Sequence, residues 1–136
     1  MCYEKYIGID YLKNGRDASV GLDCWGLVRT VLLEVFGAKV PSYAEDYTDS
    51  GNWKETLEAV KKNIWEWQDI PLEEVGAGDV VLLKIKGNPI HTGIMIDGIR
   101  MLHIMKGMNS VVDRIDSPIW NRRIMGFYRY EEHGHA

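Results

Sequence analysis

Gly21-Leu22-Asp23-Cys24-Trp25-Gly26-Leu27-Val28 opens the stretch that decides the fold. From Asp23 to Phe36, Val28, Val31, Leu32 and Val35 recur at the i, i+3, i+4, i+7 spacing of one buried helix face, and Gly37 follows as a stop. The spacing predicts a helix over 23–36 with Cys24 in its first turn. Backbone N–H groups and the helix macrodipole favour negative charge at that end, so a thiol there is expected to shift toward its nucleophilic thiolate form. A lone cysteine at a helix start is more often a small buried hydrophobe. Placement alone therefore does not make a nucleophile.

Downstream, Trp53, Leu57, Val60 and Ile64 form a second apolar stripe, with Asn52 placed to cap it and Glu55 completing a capping-box-like pattern. The period then changes. Gly76 to Gly78 is a turn signal, and Asp79 to Ile85 is an apolar, β-branched run of strand length. Ile90 to Ile96 and Ile99 to Lys106 follow across Asp97-Gly98, a strong hairpin signal, and Arg123 to Tyr130 reads as a closing strand. Helices first and strands after predict an α+β domain, N-terminal helices packed on an antiparallel β-sheet. No internal repeat or linker divides residues 1–136, and 131–136 reads as a polar, frayed tail.

His91 and His103 fall on the two hairpin strands. A cysteine nucleophile needs an imidazole to take its proton, and that base needs a third group to fix its tautomer and orientation. Either histidine alone is more often a half-buried core residue; two on one hairpin are harder to dismiss. Register sharpens the test. A two-residue Asp97-Gly98 loop would pair Ile96 with Ile99 and put the histidines on opposite faces. A shared site requires a three-residue loop or a bulge, with His91 and His103 directly opposed and His91, Gly93 and Met95 on the face of His103 and Met105.

Composition narrows the class. With 46% hydrophobic and 26% charged residues, 136 residues make one ordinary domain that buries roughly two-thirds of its unfolded surface without metal or disulfide staples. The formal charge of −4 and the lack of a basic run argue against nucleic acid. No apolar run of about 18 residues and no signal-peptide core are visible, so no membrane insertion is expected. Synthesis in the cytoplasm, with delivery by lysis or in a particle, is the expectation. Two cysteines, Cys2 and Cys24, are too few for a disulfide framework and too isolated for zinc.

The residues Gly21 to Val28, then Ala77-Gly78-Asp79-Val80-Val81, His91-Thr92-Gly93-Ile94 and Leu102-His103, resemble the NlpC family of papain-like cysteine peptidases, from about Ile9 to Tyr128. The Asp-Cys-Trp-Gly-Leu-Val form, preceded by Gly15-Arg16-Asp17, looks most like the subgroup encoded with bacteriophage tail genes. The resemblance implies a papain-like NlpC-type fold with Cys24 as nucleophile, His91 as base and His103 as orienting residue. It implies Tyr11 as an aromatic residue lining the site, its hydroxyl near a developing oxyanion. Asp23 corresponds to a position where a carboxylate holds a substrate amine, and it is equally placed as a helix N-cap. The implied activity is cleavage of peptidoglycan stem peptides, typically the γ-D-glutamyl bond to a diamino acid, with no cofactor. Many cell-wall members carry Ser after the Cys, where this chain has Trp25. Phage-tail relatives share the Trp, so the implied partners are tail-tip or tail-hub proteins and the implied location is a virion tail.

Other features read as structure. Trp53, Trp65, Trp67 and Trp120 suit core or interface packing better than a sugar platform. Glu73 and Glu74 are adjacent and do not face each other. His133 and His135 lack further ligands for a metal, and Cys2 has no nearby base. Two rivals stand beside the peptidase: a structural tail-tip or assembly component with a vestigial or occluded triad, and a thiol acyltransferase or amidase. The lipid acyltransferase branch usually runs His before Cys, the reverse of this order.

Overall fold

The computed structural model describes residues 2–40, 67–85 and 88–130, with the side chains of 85 and 88–90 outside that description. The predicted second helix, with Asn52, Trp53 and Glu55, lies outside the described residues, as do Trp65 and the tail with His133 and His135. A short ribbon of β1 (Arg16–Asp17) and β2 (Gly21–Leu22) leads into α1 (Cys24–Phe36). Then come β3 (Trp67–Ile70), β4 (Val80–Ile85), β5 (Asn88–Met95), β6 (Arg100–His103), β7 (Val111–Arg114) and β8 (Ile124–Tyr130). These six form one antiparallel sheet in the order β3-β8-β4-β5-β6-β7. The α+β class is the one expected from helix period before strand period. The ribbon, β3 and β7 were not expected, because strands of two to four residues at a sheet edge carry too little alternation to register as a period.

Helix α1 starts and stops for local reasons. The Asp23 carboxylate accepts the Gly26 N–H at 2.7 Å. Gly37 ends the helix at φ 68°, a left-handed conformation that costs glycine little, and its N–H bonds the Leu33 carbonyl at 3.1 Å. The buried face is Leu27, Val28, Val31 and Leu32, whereas Val35 is 36% exposed. The predicted stripe thus holds for its first three positions and turns outward in the last turn.

Both faces of the central strands are buried, which is why β4 reads as a continuous apolar run. On one face Val80, Ile94, Ile96, Leu102 and Ile104 pack against α1. On the other, Val81, Leu83, Met95, Met101 and Phe127 lie with Ile115 and Trp120 from the β7–β8 connection. Each such fully buried aliphatic side chain contributes about 1.5–3 kcal/mol.

The β5–β6 connection is a three-residue loop, Asp97-Gly98-Ile99, closed by the Ile96 N–H on the Arg100 carbonyl at 2.9 Å. Asp97 selects it: Oδ1 accepts the N–H groups of Ile99 (2.8 Å) and Arg100 (2.7 Å), and Oδ2 accepts Arg100 Nε at 2.7 Å. Pairing of Met95 with Met101 and Ile94 with Leu102 carries forward to Gly93 opposite His103. The histidines therefore share a face, the one with Met95, Met101 and Trp120 that is turned away from α1, and they are not directly opposed. They are diagonal neighbours, because the three-residue loop shifts the register two positions from the one that would face them.

Gly26 is where α1 meets the ribbon, and a Cβ there would collide with the Gly15 carbonyl oxygen. Backbone cannot yield as a side-chain tip can. Gly26→Ala is expected to cost about 1–3 kcal/mol, read as a lowered urea midpoint at unchanged slope; an unchanged midpoint would show that the ribbon moves freely.

Candidate active site

Cys24 is carried in the first turn of α1 and is partly buried. The chain entering α1 is held on both sides: Leu12 N–H bonds the Leu22 carbonyl, and Leu22 N–H bonds the Asp10 carbonyl, each at 3.0 Å. Tyr11 pairs with Leu22 in an isolated parallel bridge, which sets its backbone two residues ahead of Cys24. Asp23 is fully buried, and besides capping α1 its Oδ1 accepts Arg16 Nη1 at 2.7 Å. A buried carboxylate needs such a partner to offset its lost hydration. The sequence suggested two roles for Asp23, and the cap is built.

Burial pushes the Cys24 thiol above its ordinary value, and the neighbouring Asp23 charge adds to the rise. Contacts with the Thr92 side chain and backbone and with the Trp25 backbone pull the other way without winning. The expected thiolate shift is therefore reversed. The helix terminus offers partial charges, but desolvating the sulfur beside a full negative charge outweighs them. The Thr92 hydroxyl is buried and makes no well-formed hydrogen bond, although it faces the sulfur closely enough to affect it.

One residue before Thr92 stands His91. Its Nε2 is 2.8 Å from His103 Nδ1, and His103 Nε2 is 2.7 Å from Asp113 Oδ2 on β7. Both rings are buried, and Trp120 covers them, stacked on His91 at 6.0 Å between ring centroids and edge-on to His103 at 5.0 Å. Burial, then the neighbouring His103, lowers His91 to about 3. Burial also lowers His103, although its bond to Asp113 opposes the shift. Gly93 makes room for the pair, since a Cβ there would lie 3.3 Å from His103 Cβ.

The fold brings Cys24 to the strand at Thr92 and joins His91 to His103, but successive strand residues point to opposite faces. Thr92 meets the sulfur on the α1 side, whereas His91 and His103 lie on the other face with Met101 and Trp120, so the expected nucleophile and base are not brought together. Sequence reasoning missed Thr92, Arg16 and Asp113 and read Trp120 only as packing. The pair Val111-Val112 ahead of Asp113, just past the Gly107–Ser110 turn residues, was the available signal for a strand carrying a carboxylate. Cys2 is exposed and bonds Glu4. Trp67 packs edge-on between Trp25 and Tyr130, inside the core as expected. Among the described residues no group of three or more His, Cys, Asp or Glu side chains is placed to hold a metal.

A helix packed on a six-stranded antiparallel sheet of this kind has counterparts among known proteins. Residues 8–129 match the NlpC/P60 family. This chain belongs to that family. Gamma-DL-glutamyl hydrolase of Bacillus subtilis (strain 168) is 25% identical over 130 residues, covering 94% of this chain and 28% of that protein. The chain thus spans under a third of that relative. The NlpC/P60 domain of peptidoglycan hydrolase SagA superposes with a TM-score of 0.62 at 23% identity, covering 92% of this chain and 90% of the other. An NlpC/P60 family protein from Bacillus cereus ATCC 10987 gives 0.67 at 20%, covering 93% and 37%. At these identities the structural likeness establishes a shared NlpC/P60 fold.

Two measurements follow from the electrostatics of this NlpC/P60 site. In a Cys2→Ser background, Cys24 should react with iodoacetamide more slowly at pH 7 than a small free thiol, accelerating only at alkaline pH, and Thr92→Val should move that rise higher still. Labelling faster than the free thiol at pH 7 would contradict the burial effect. His91 bears on acid stability: the unfolded chain binds a proton below about 6.5, whereas the native ring refuses it until about 3. Stability should therefore fall as pH drops through that window, by about 1.4 kcal/mol per pH unit for this one proton. Denaturant midpoints between pH 7 and 3 check the slope, which His91→Asn should flatten.

Proposed function

We propose that this chain is a cysteine endopeptidase that hydrolyses peptide bonds of peptidoglycan stem peptides, with Cys24 as nucleophile, His91 as base and His103 as the group orienting it. The observation that carries the reading is the match of residues 8–129 to the NlpC/P60 family together with the buried, hydrogen-bonded His91–His103 pair. For the chemistry below, the His91 ring has to come from the Trp120 face of β5 to the face on which Thr92 meets the thiol. Family membership and two relatives named as a gamma-DL-glutamyl hydrolase and a peptidoglycan hydrolase support it.

In this chemistry His91 takes the thiol proton as Sγ attacks the scissile carbonyl carbon. The intermediate collapses as the C–N bond breaks and His91 returns the proton to the leaving amine. Water, deprotonated by His91, then hydrolyses the thioester and restores the thiol. A neutral base suits the first step, and the low His91 value keeps the ring neutral at pH 7. Tyr11 lends its hydroxyl to the oxyanion, and Asp23 serves as scaffold. The Asp-Cys-Trp-Gly form of the motif supports delivery on a phage-like tail tip, and among the described residues no helix is long and apolar enough to cross a membrane.

A second reading, a structural tail component with an unused triad, draws support from the raised thiol and the missing Cys24–His91 hydrogen bond. Mass spectrometry of muropeptides released from purified peptidoglycan separates the two. Wild type should release stem-peptide fragments, and Cys24→Ala or His91→Ala should lower release more than about a thousandfold while the protein stays folded. Full release by Cys24→Ala, or none by wild type, would end the peptidase reading.

A further inference from the structure

We propose that Asp113 is a positioning residue that sets the tautomers of both histidines and thereby frees His91 Nδ1 as the proton-accepting atom; the catalytic consequence rests on the peptidase reading above. The two contacts run in series, 2.7 Å from Asp113 Oδ2 to His103 Nε2 and 2.8 Å from His103 Nδ1 to His91 Nε2. A carboxylate offers only acceptors, so His103 must donate from Nε2. In a neutral ring the other nitrogen then holds a lone pair, and His103 Nδ1 accepts from His91 Nε2–H. His91 Nδ1 is left unprotonated, the state in which it can accept a proton.

Remove the carboxylate and the series can reverse. With no acceptor at its Nε2, His103 can carry its proton on Nδ1 and donate to His91 Nε2, which forces the His91 proton onto Nδ1 and abolishes the base. The arrangement is asymmetric in burial: the His103 side chain is fully buried, whereas that of Asp113 is 42% exposed, so water solvates the carboxylate while the imidazoles remain dry under Trp120. Strand β7 exists in this site to present that carboxylate, since His103 pairs with Val111 and Asp113 with Met101 on the neighbouring strand. The two side chains thus lie diagonally on one sheet face, as His91 and His103 do.

Imidazole nitrogen NMR at pH 7 reads the tautomers directly. Wild type should show both rings protonated at Nε2 and bare at Nδ1. Asp113→Ala should give mixed tautomers, and Asp113→Asn, which keeps the shape but adds a donor, should populate the reversed one. On peptidoglycan, both variants should lose about 10- to 100-fold in kcat with little change in KM, and Asp113→Glu should recover part of the loss. Wild-type His91 protonated at Nδ1, or tautomers unchanged in Asp113→Ala and Asp113→Asn, would overturn the proposal. Should wild type release no muropeptides, the peptidase reading falls alone, because the nitrogen spectra still decide the tautomers. Should Asp113→Ala fail to fold, the wild-type and Asp113→Asn spectra carry the same decision.

Discussion

The hydrogen bonds that Asp97 accepts from Ile99 and Arg100 hold the register of the molecule's central hairpin. Side chains alternate along a strand, so a slip of one residue would send every one of them to the opposite face. Ile94 and Leu102 would leave α1, Met95 and Met101 would leave Trp120, and the two histidines would part. The loop works against a simpler alternative. Asp97-Gly98 would suit a two-residue turn, but that turn demands left-handed residues, and Gly98 does not adopt that conformation. The aspartate side chain mimics a turn of backbone instead, and the third residue follows.

Around that register the site is assembled from separate pieces of chain. The ribbon at Arg16–Leu22 and the Asp23 cap fix the head of α1 and with it the sulfur. The hairpin fixes the imidazoles, β7 supplies a carboxylate, and Trp120 from the connection to β8 closes over the rings. Electrostatically the result is a neutral resting site. Burial raises the thiol on the α1 face and lowers both histidines on the Trp120 face, so each group rests uncharged.

Much of this was legible in the residues. The helix over 24–36, its Asp23 cap and its Gly37 stop follow from spacing and local chemistry within a few residues of one another. Strands β4, β5 and β8 announce themselves by apolar runs within one or two residues of their ends. Thirteen-residue helices and six- to eight-residue strands repeat their pattern often enough to be read. The ribbon, β3 and β7 do not, and Asp113 was lost with β7.

The sequence by itself determined the class of fold, the helix that carries Cys24 and the need for an odd hairpin loop if two histidines were to meet, because caps, periods and loop parity act between near neighbours. Tertiary structure decided the diagonal offset of the histidines, the reach of Asp113 to His103 and the sign of the thiol's shift. Those depend on which side chains from distant segments exclude water around a group, and desolvation is a property of the packed whole that no local pattern encodes.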